Sequence, residues 1–470
     1  MECDLAVLGG GNGGYAAALR GAQLGLSVTL VEQEKVGGTC LHVGCVPTKA
    51  LLHTADLMES FHKAGNFGVL AGEPKLDWGK VLSYKDSVVA KHFRGLTGLI
   101  KARGINLVEG SGRLASPGRI EVEGGEPVEA GAVILATGSY ARSLPFIEID
   151  GETFITSDHA LVLDALPASV IVIGAGAVGL EFASAFRSYG SEVTILEAIP
   201  RLAPGEDEDV SKELERQFRK RGIRSVTGVK VTEATRSQSG AAAVSFESGD
   251  GKMETVEAER CLVAVGRGAV SEGLGYEEAG IKLERGFVAV DAECRTGVDG
   301  VWAVGDLITQ PELDLPFPHF QLAHVAFAEG IYVAEQVAGS NGALPVDYLG
   351  VPRAIYSFPE IASVGLTERQ AKEAGYDVKV SKLGWAGFSK ASILGEVAGF
   401  VKVVAQNDGR VLGVHMVGPR VTELIAEAQL ITNWEAYPKE VAALVHPHPT
   451  LSEAIGENML SLAGKPLHGT

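Results

Sequence analysis

Two stretches of this chain share one pattern at one spacing, and together they leave few folds open. Asp4–Leu8 is an apolar strand run, followed by Gly9-Gly10-Gly11-Asn12-Gly13-Gly14 and a helical run over Tyr15–Leu24. Gly25 stops that helix, and a second apolar run, Val28–Val31, ends at Glu32. The order recurs 165 residues later as Val170–Ile173, Gly174-Ala175-Gly176-Ala177-Val178-Gly179, a helix to Tyr189, Gly190, Val193–Leu196 and Glu197. From first glycine to carboxylate the spacing is 23 residues in both copies. One G-x-G-x-x-G is a weak signal. Two copies, each inside a complete strand–helix–strand unit, predict two Rossmann-like dinucleotide-binding domains in an α/β chain. The first glycine (Gly9, Gly174) permits the tight turn. The second (Gly11, Gly176) lets backbone approach a pyrophosphate, and the third (Gly14, Gly179) lets helix pack on strand. The helix N-terminus binds the phosphates, and Glu32 and Glu197 each reach a ribose hydroxyl.

Between the repeats lies Gly37–Lys49, GGTCLHVGCVPTK. Cys40 and Cys45 are five positions apart, which in regular helix separates Cα atoms by about 8.7 Å. A disulfide requires about 4.4–6.8 Å, so the pair closes only if the helix is interrupted. Gly44 supplies backbone freedom for this. Pro47 suits a first helical position, so a helix is predicted from Pro47 onward, with Cys45 near its N-terminus, where a thiolate is favoured. Two unrelated thiols or half of a metal site are the alternatives. A metal site needs a second ligand pair, and none is visible, so no metal is expected. A redox disulfide beside two dinucleotide sites needs an electron carrier, which makes one dinucleotide a flavin and the other a nicotinamide.

Composition narrows the setting. The 470 residues suffice for about three domains. The net charge of −18 argues against nucleic acid and for a basic protein partner. Five cysteines are too few for a secreted disulfide scaffold, so a cytoplasmic catalytic disulfide is expected. Met1 runs almost at once into the first strand, leaving no room for a targeting peptide. No run of about 18 apolar residues is present, so no membrane span is expected. Further helices are predicted over Leu51–His62 and Lys85–Ala102. Glu206–Arg221 reads as an amphipathic helix with a solvated charged face. Strand runs at Val133–Leu135, Val301–Val304, Val401–Val404 and Val411–Met416 precede a last helix from Val421, and the segment from Pro345 reads as a separate domain.

The stretch 37–49, both glycine motifs, Ala136-Thr137-Gly138-Ser139, Gly305-Asp306-Leu307, Leu322-Ala323-His324 and HPHPTLSE at 446–453 together resemble the flavin-dependent pyridine nucleotide–disulfide oxidoreductases. The resemblance covers essentially the whole chain. It implies an FAD-binding domain over 1–145, an NAD-binding domain over 146–267, a return to the FAD domain over 268–342 and a C-terminal α+β dimerisation domain over 343–470. It implies that Cys40 exchanges with substrate, that Cys45 lies against the flavin, and that His448 is the base with Glu453 holding its imidazole. His446 is expected to be structural. Lys49 and Glu181 would form a charged pair beside the flavin. The position equivalent to Glu181 in the first repeat is Ala16, so the fold does not require that carboxylate. Asp306 would bind the flavin ribityl chain, with further cofactor contacts at Thr137, Gly138, Ala323 and Gly266. The implied activity is oxidation of protein-bound dihydrolipoyl groups by NAD⁺ in a homodimer, served by a lipoyl-carrying acyltransferase or lipoyl protein. A metal-ion reductase would carry a cysteine pair after Glu453, and the tail has none. Four positions depart from the family pattern. Asn12 stands for Pro, His42 for Asn, Thr48 for Ser and Pro447 for Ala, and none of the four is expected to touch the thiols or their base.

Overall fold

The computed structural model describes residues 1–70, 72 and 74–468. Its contacts divide into two compact units. One comprises Met1–Ala50, Gly79–Arg142 and Gly266–Val346, the other Leu51–Trp78, Ser143–Val265 and Asp347–Thr470.

The first unit is built on β1 (Glu2–Leu8), which pairs in parallel with β2 (Val28–Glu32) on one side and with the strand Val128–Leu135 on the other. Strand Asn106–Glu109 extends the β2 edge. Val301–Ala303 joins Val128–Leu135 in parallel, so the chain returns to this sheet after some 160 residues elsewhere. These strands read as continuous apolar runs because both faces are covered, and Leu5, Val7, Leu30, Val133 and Leu135 are buried. Helix α1 (Asn12–Gln23) leaves β1 through the glycine turn and begins three residues earlier than its apolar run suggests. Gly25, at φ 89°, ends it, and the Leu26 N–H returns to the Gly21 carbonyl at 3.1 Å. In the second repeat Gly190, at φ 107°, ends the helix Ala177–Ser188, with the Ser191 N–H on the Phe186 carbonyl at 2.9 Å. The two copies thus stop as they start, by the same backbone device.

Helix α2 (Gly38–His42) carries Cys40, and α3 (Cys45–Lys63) begins on Cys45 itself. The helix expected from Pro47 starts two residues sooner, with Pro47 in its first turn, where its missing N–H costs nothing. The interruption between the cysteines is Val43–Gly44. Gly44 serves it by close approach: a Cβ there would lie 2.8 Å from the Thr39 carbonyl oxygen. The helix expected over Lys85–Ala102 extends back to Trp78.

In the second unit a five-stranded parallel sheet carries the second glycine motif, and a five-stranded antiparallel sheet forms the C-terminal part. The strands of that antiparallel sheet pair so that Arg353, Ser363, His415, Lys402 and Lys382 lie side by side, one on each strand. Residues on either side of Lys402, Val401 and Val403, face the opposite way into an apolar core that includes Ile455 and Met459. The polar row meets the acidic segment ahead of the helix Glu208–Lys220. Glu206 accepts from Arg353 at 3.3 Å and also takes the Ser363 hydroxyl. Lys402 bonds Asp207 at 3.0 Å, Asp209 at 3.0 Å and Glu368 at 2.9 Å, and Lys382 reaches Asp209 at 3.2 Å. The helix expected to start at Glu206 with a solvated charged face therefore starts at Glu208, and its acidic leader is buried. Sequence periodicity does not see this, because the cations that cover the acids lie some 150–200 residues away.

Burial would raise the Glu206 carboxyl, but Arg353, Ser363 and His415 together hold it below its ordinary 4.5. A depressed carboxylate stabilises the fold fully above that value and loses the contribution as pH falls through the lower folded one. Arg353→Met is expected to cost about 3–5 kcal/mol near neutral pH by stranding a buried charge. The deficit should narrow near pH 4, where the Glu206 left without Arg353 in the variant is protonated and no longer a stranded charge. Scanning calorimetry of both proteins at the two pH values checks this, and an equal deficit at both would refute an electrostatic origin.

Candidate active site

Both glycine turns are built alike. Gly9 sits at φ 103° and Gly174 at φ 104°. A Cβ on Gly14 would fall 1.8 Å from the Gly9 carbonyl oxygen, and one on Gly179 would fall 2.0 Å from that of Gly174. Around Gly11 and Gly176, by contrast, nothing lies within 4 Å of an added Cβ. These two glycines cap their helices without a side-chain bond, so the first N–H groups have no side-chain partner at the cap. That is a cradle for a diphosphate, and the residues fit a dinucleotide in both places. The carboxylates match too. Glu32 accepts from Gly10 N at 2.6 Å and Glu34 N at 2.8 Å, and Glu197 from Ala175 N at 2.6 Å and Ile199 N at 2.7 Å. Each is pinned by two backbone donors, with lone pairs left for a ribose.

Other expected cofactor residues lie on the same two frameworks. Asp306 accepts the Ser139 hydroxyl at 2.5 Å, and Arg267 donates to the same hydroxyl at 2.7 Å. Thr137 donates its hydroxyl to the Val270 carbonyl at 2.6 Å, and the adjoining Gly138, at φ 72°, has open space where a Cβ would stand. Ala323 opens the helix Ala323–Val337, which is pressed onto α1 where Gly330 lies within a Cβ contact of 2.2 Å from the Gly13 carbonyl. Gly266, at φ 105°, accepts from Arg142 N at 3.0 Å. Glu181 is buried and accepts from Tyr356 N at 3.0 Å, so it is no surface acid of its helix.

Cys40 and Cys45 lie beside one another as thiols with no disulfide between them, Cys45 exposed and Cys40 half-buried. They stand against the first glycine turn. Gly37 N donates to the Gly10 carbonyl at 2.8 Å, and a Cβ on Gly38 would lie 2.8 Å from Gly11 Cα. The hydrogen bond with Cys45, and then burial, push the Cys40 thiol up. The Asn12 side chain and the Lys49 charge pull it down. Tyr15, one turn along α1, is pushed up to about 12 by burial and by Cys40. One of the four departures, Asn12, therefore bears on the charge of a thiol, which was not expected of it. Its departure from pattern was the sequence signal, and its direction across the turn was not readable there. Tyr15 went unnoticed because it reads as an ordinary helix residue. His42 lies between the cysteines in sequence, but its ring is held by the Val36 carbonyl at 2.9 Å and the edge of Phe93.

In the second unit His448 Nδ1 meets Glu453 Oε1 at 2.8 Å, and Thr450 N donates to the other carboxylate oxygen at 2.8 Å. Burial opposes but does not overcome these donors, so Glu453 titrates below its ordinary value. The carboxylate fixes the proton on Nδ1 and leaves Nε2 as the basic nitrogen of an exposed ring. His446 is tied to Glu427 at 2.7 Å and packs on Gly456. Among the described residues no cluster of His, Cys, Asp and Glu could hold a metal ion, and no helix is long and apolar enough to cross a membrane.

Two diphosphate cradles and a thiol pair against one of them define a nucleotide-dependent disulfide oxidoreductase. The chain belongs to the pyridine nucleotide-disulphide oxidoreductases, matching that family over residues 3–330 and its dimerisation domain over 351–459. It is 44% identical to the dihydrolipoyl dehydrogenase of Bacillus subtilis, over 99% of both chains. It is 42% identical to that of Thermus scotoductus, over 99% of this chain and 98% of the relative. Among solved structures it is similar to LpdA of Mycobacterium tuberculosis, with a TM-score of 0.88 and 29% identity over 98% of this chain and 99% of that one.

Glu197, fixed by two N–H donors and followed by the exposed Ala198 rather than a basic residue, offers a 2′-phosphate a carboxylate. NAD⁺ is expected to exceed NADP⁺ by at least about 100-fold in kcat/KM. Steady-state kinetics with each nucleotide decides it, and a ratio of one or less refutes the reading.

Proposed function

We propose that this chain oxidises protein-bound dihydrolipoyl groups to lipoyl groups with reduction of NAD⁺, within a 2-oxoacid dehydrogenase or glycine cleavage complex. A lipoyl-carrying acyltransferase or lipoyl protein would deliver the substrate. The observation that carries the reading is the Cys40–Cys45 pair seated against the first nucleotide cradle, in a chain similar over its full length to dihydrolipoyl dehydrogenases. The cytoplasm suits a couple that must cycle through a dithiol. In this reading residues 1–145 and 268–342 hold FAD, 146–267 hold NAD, and 343–470 form the dimer contact.

The cycle starts from the Cys40–Cys45 disulfide. A deprotonated substrate sulfur attacks Cys40 Sγ. That S–S bond forms as the Cys40–Cys45 bond breaks, and Cys45 leaves with the electron pair as a thiolate. The second substrate sulfur then attacks the first, closing the lipoyl ring and releasing Cys40 as a thiolate. His448 Nε2 accepts a proton from substrate, and Glu453 holds the ring in the required tautomer. Lys49, one turn into α3, stabilises negative charge at the thiols. The Cys40 thiolate then attacks Cys45 Sγ and the disulfide re-forms; FAD, which the first glycine turn and Glu32 would hold, would supply the two-electron acceptor and hydride-transfer chemistry that links this oxidation to NAD⁺. Gly11 and Gly176 admit the two diphosphates, and Glu32 and Glu197 orient the riboses.

The holoenzyme is expected to form NADH from dihydrolipoamide and NAD⁺. Cys45→Ser should lower that rate at least about 1000-fold while FAD stays bound. Activity retained in Cys45→Ser would overturn the disulfide mechanism.

His448 and Glu453 fall within the segment matched as a dimerisation domain. We place them in the partner's active site, serving its Cys40. Cys40→Ser and His448→Ala chains, refolded together, then give mixed dimers with one intact and one doubly damaged site. Each variant alone should be inactive and the mixture should recover up to about half of the wild-type rate per mixed dimer. Absence of recovery in verified FAD-containing mixed dimers would make His448 a base for its own chain.

A further inference from the structure

The two glycine turns share a grip that lies outside their motifs. In each, the residue after the first glycine is held at both ends of its backbone. Gly10 N donates to Glu32, and the Gly10 carbonyl accepts from Gly37 N at 2.8 Å. Ala175 N donates to Glu197, and the Ala175 carbonyl accepts from Ala203 N at 3.1 Å. A trans peptide is planar and points its C=O and N–H in opposite directions. The Ala203 N–H therefore fixes the plane of the peptide that leads from Ala175 into the cradle at Gly176. Both donors sit at positive φ, Gly37 at 105° and Ala203 at 47°. Glycine takes such backbone freely, whereas alanine holds it only where its surroundings enforce it. Ala203 is buried, and one side chain supplies the enforcement. The Arg201 guanidinium donates to the Pro204 carbonyl at 2.5 Å, the Glu206 carbonyl at 2.8 Å and the Ser211 hydroxyl at 3.4 Å. Ser211 in turn donates to the Ala203 carbonyl at 3.3 Å.

We propose that Arg201 is a positioning residue for the nicotinamide dinucleotide and acts through Ala203. By folding 203–206 around its guanidinium it keeps the Ala203 N–H on the Ala175 carbonyl, and so keeps the second turn shaped for a diphosphate. This rests on the second turn being the NAD site. The first turn needs no such residue, because its donor is a glycine. Arg201 acts on the backbone of the binding turn, so its loss weakens nucleotide binding and leaves the thiol chemistry alone.

The test is calorimetric titration of the FAD-loaded enzyme with ADP-ribose, which carries the diphosphate and both riboses, beside steady-state kinetics. In Arg201→Met the Kd for ADP-ribose and the KM for NAD⁺ should each rise about tenfold, with kcat and the KM for dihydrolipoamide within about twofold of wild type. Ala203→Gly alone should bind as wild type does, since glycine needs no support at that φ. Added to Arg201→Met, it should restore most of the lost affinity, a rescue that general loosening of the fold would not allow. If Arg201→Met fails to retain FAD, Arg201→Lys, which keeps the charge and fewer donors, is read in the same way with a loss of about threefold. Unchanged affinity in these variants, or a loss that Ala203→Gly leaves unrepaired, would overturn the role of Arg201 and leave the nucleotide assignment standing. Failure of the wild type to bind either ADP-ribose or NAD⁺ would overturn that assignment and the role of Arg201 with it.

Discussion

The first unit depends on a contact that only bare backbone can make. Where β1 becomes α1, the Gly9 carbonyl lies so close to Gly14 that a Cβ would stand 1.8 Å from it. That compression brings the start of α1 over the end of the sheet and aims its N–H groups outward at Gly11. The same turn then receives a second glycine pair. Gly37 bonds Gly10, and Gly38 rests on Gly11, so the segment bearing Cys40 can approach the phosphate cradle without an intervening side chain. The approach of the Cys40 segment to the glycine turn is thus set by four glycines.

In the second unit the anchoring is electrostatic. The C-terminal sheet has one apolar face and one face crossed by the row Arg353, Ser363, His415, Lys402 and Lys382. The apolar face buries the helix Glu453–Leu462 through Ala454, Ile455 and Met459. The polar row holds Glu206 and Asp207 from the nucleotide-binding part of the same unit. The His448–Glu453 pair therefore stands at the N-terminal end of a helix whose seat is fixed from both sides of one sheet. Glu453 needs that rigidity, since its two oxygens divide their work between the His448 ring and the Thr450 N–H. Replacing buried ion pairs by apolar residues is often neutral or stabilising, so the row is better read as setting the register of two segments than as a source of stability.

What the sequence disclosed was local. The two strand–helix–strand repeats, their glycines and their terminal carboxylates fall where the spacing places them, because a fingerprint and its turn are encoded within about 25 residues. The helices at α1, α3 and Trp78 start two to seven residues ahead of where their apolar period begins, since first turns are polar or lack period. The burial of Glu206 and Asp207 was invisible, because their cations are distant in sequence. Asn12 shows the same limit at the site: the chain marked the residue as unusual, but the thiol it bears on lies 28 positions on and is brought to that turn by glycine packing that no periodicity records.

The surroundings of Cys40 oppose one another, and the proposed chemistry asks for that. A thiolate stabilised too far is a weak nucleophile, whereas one stabilised too little is a poor leaving group. In dihydrolipoyl oxidation the Cys40 sulfur must first accept an attack and then depart, and in reverse it must attack. Cys45 and burial push its thiol up, while Asn12 and Lys49 pull it down. The two upward influences are fixed by the fold: burial by the packing of α2, and Cys45 by the break at Val43–Gly44. The two downward influences are single side chains. The glycine framework therefore sets where the sulfur sits, and Asn12 and Lys49 set how readily it carries charge.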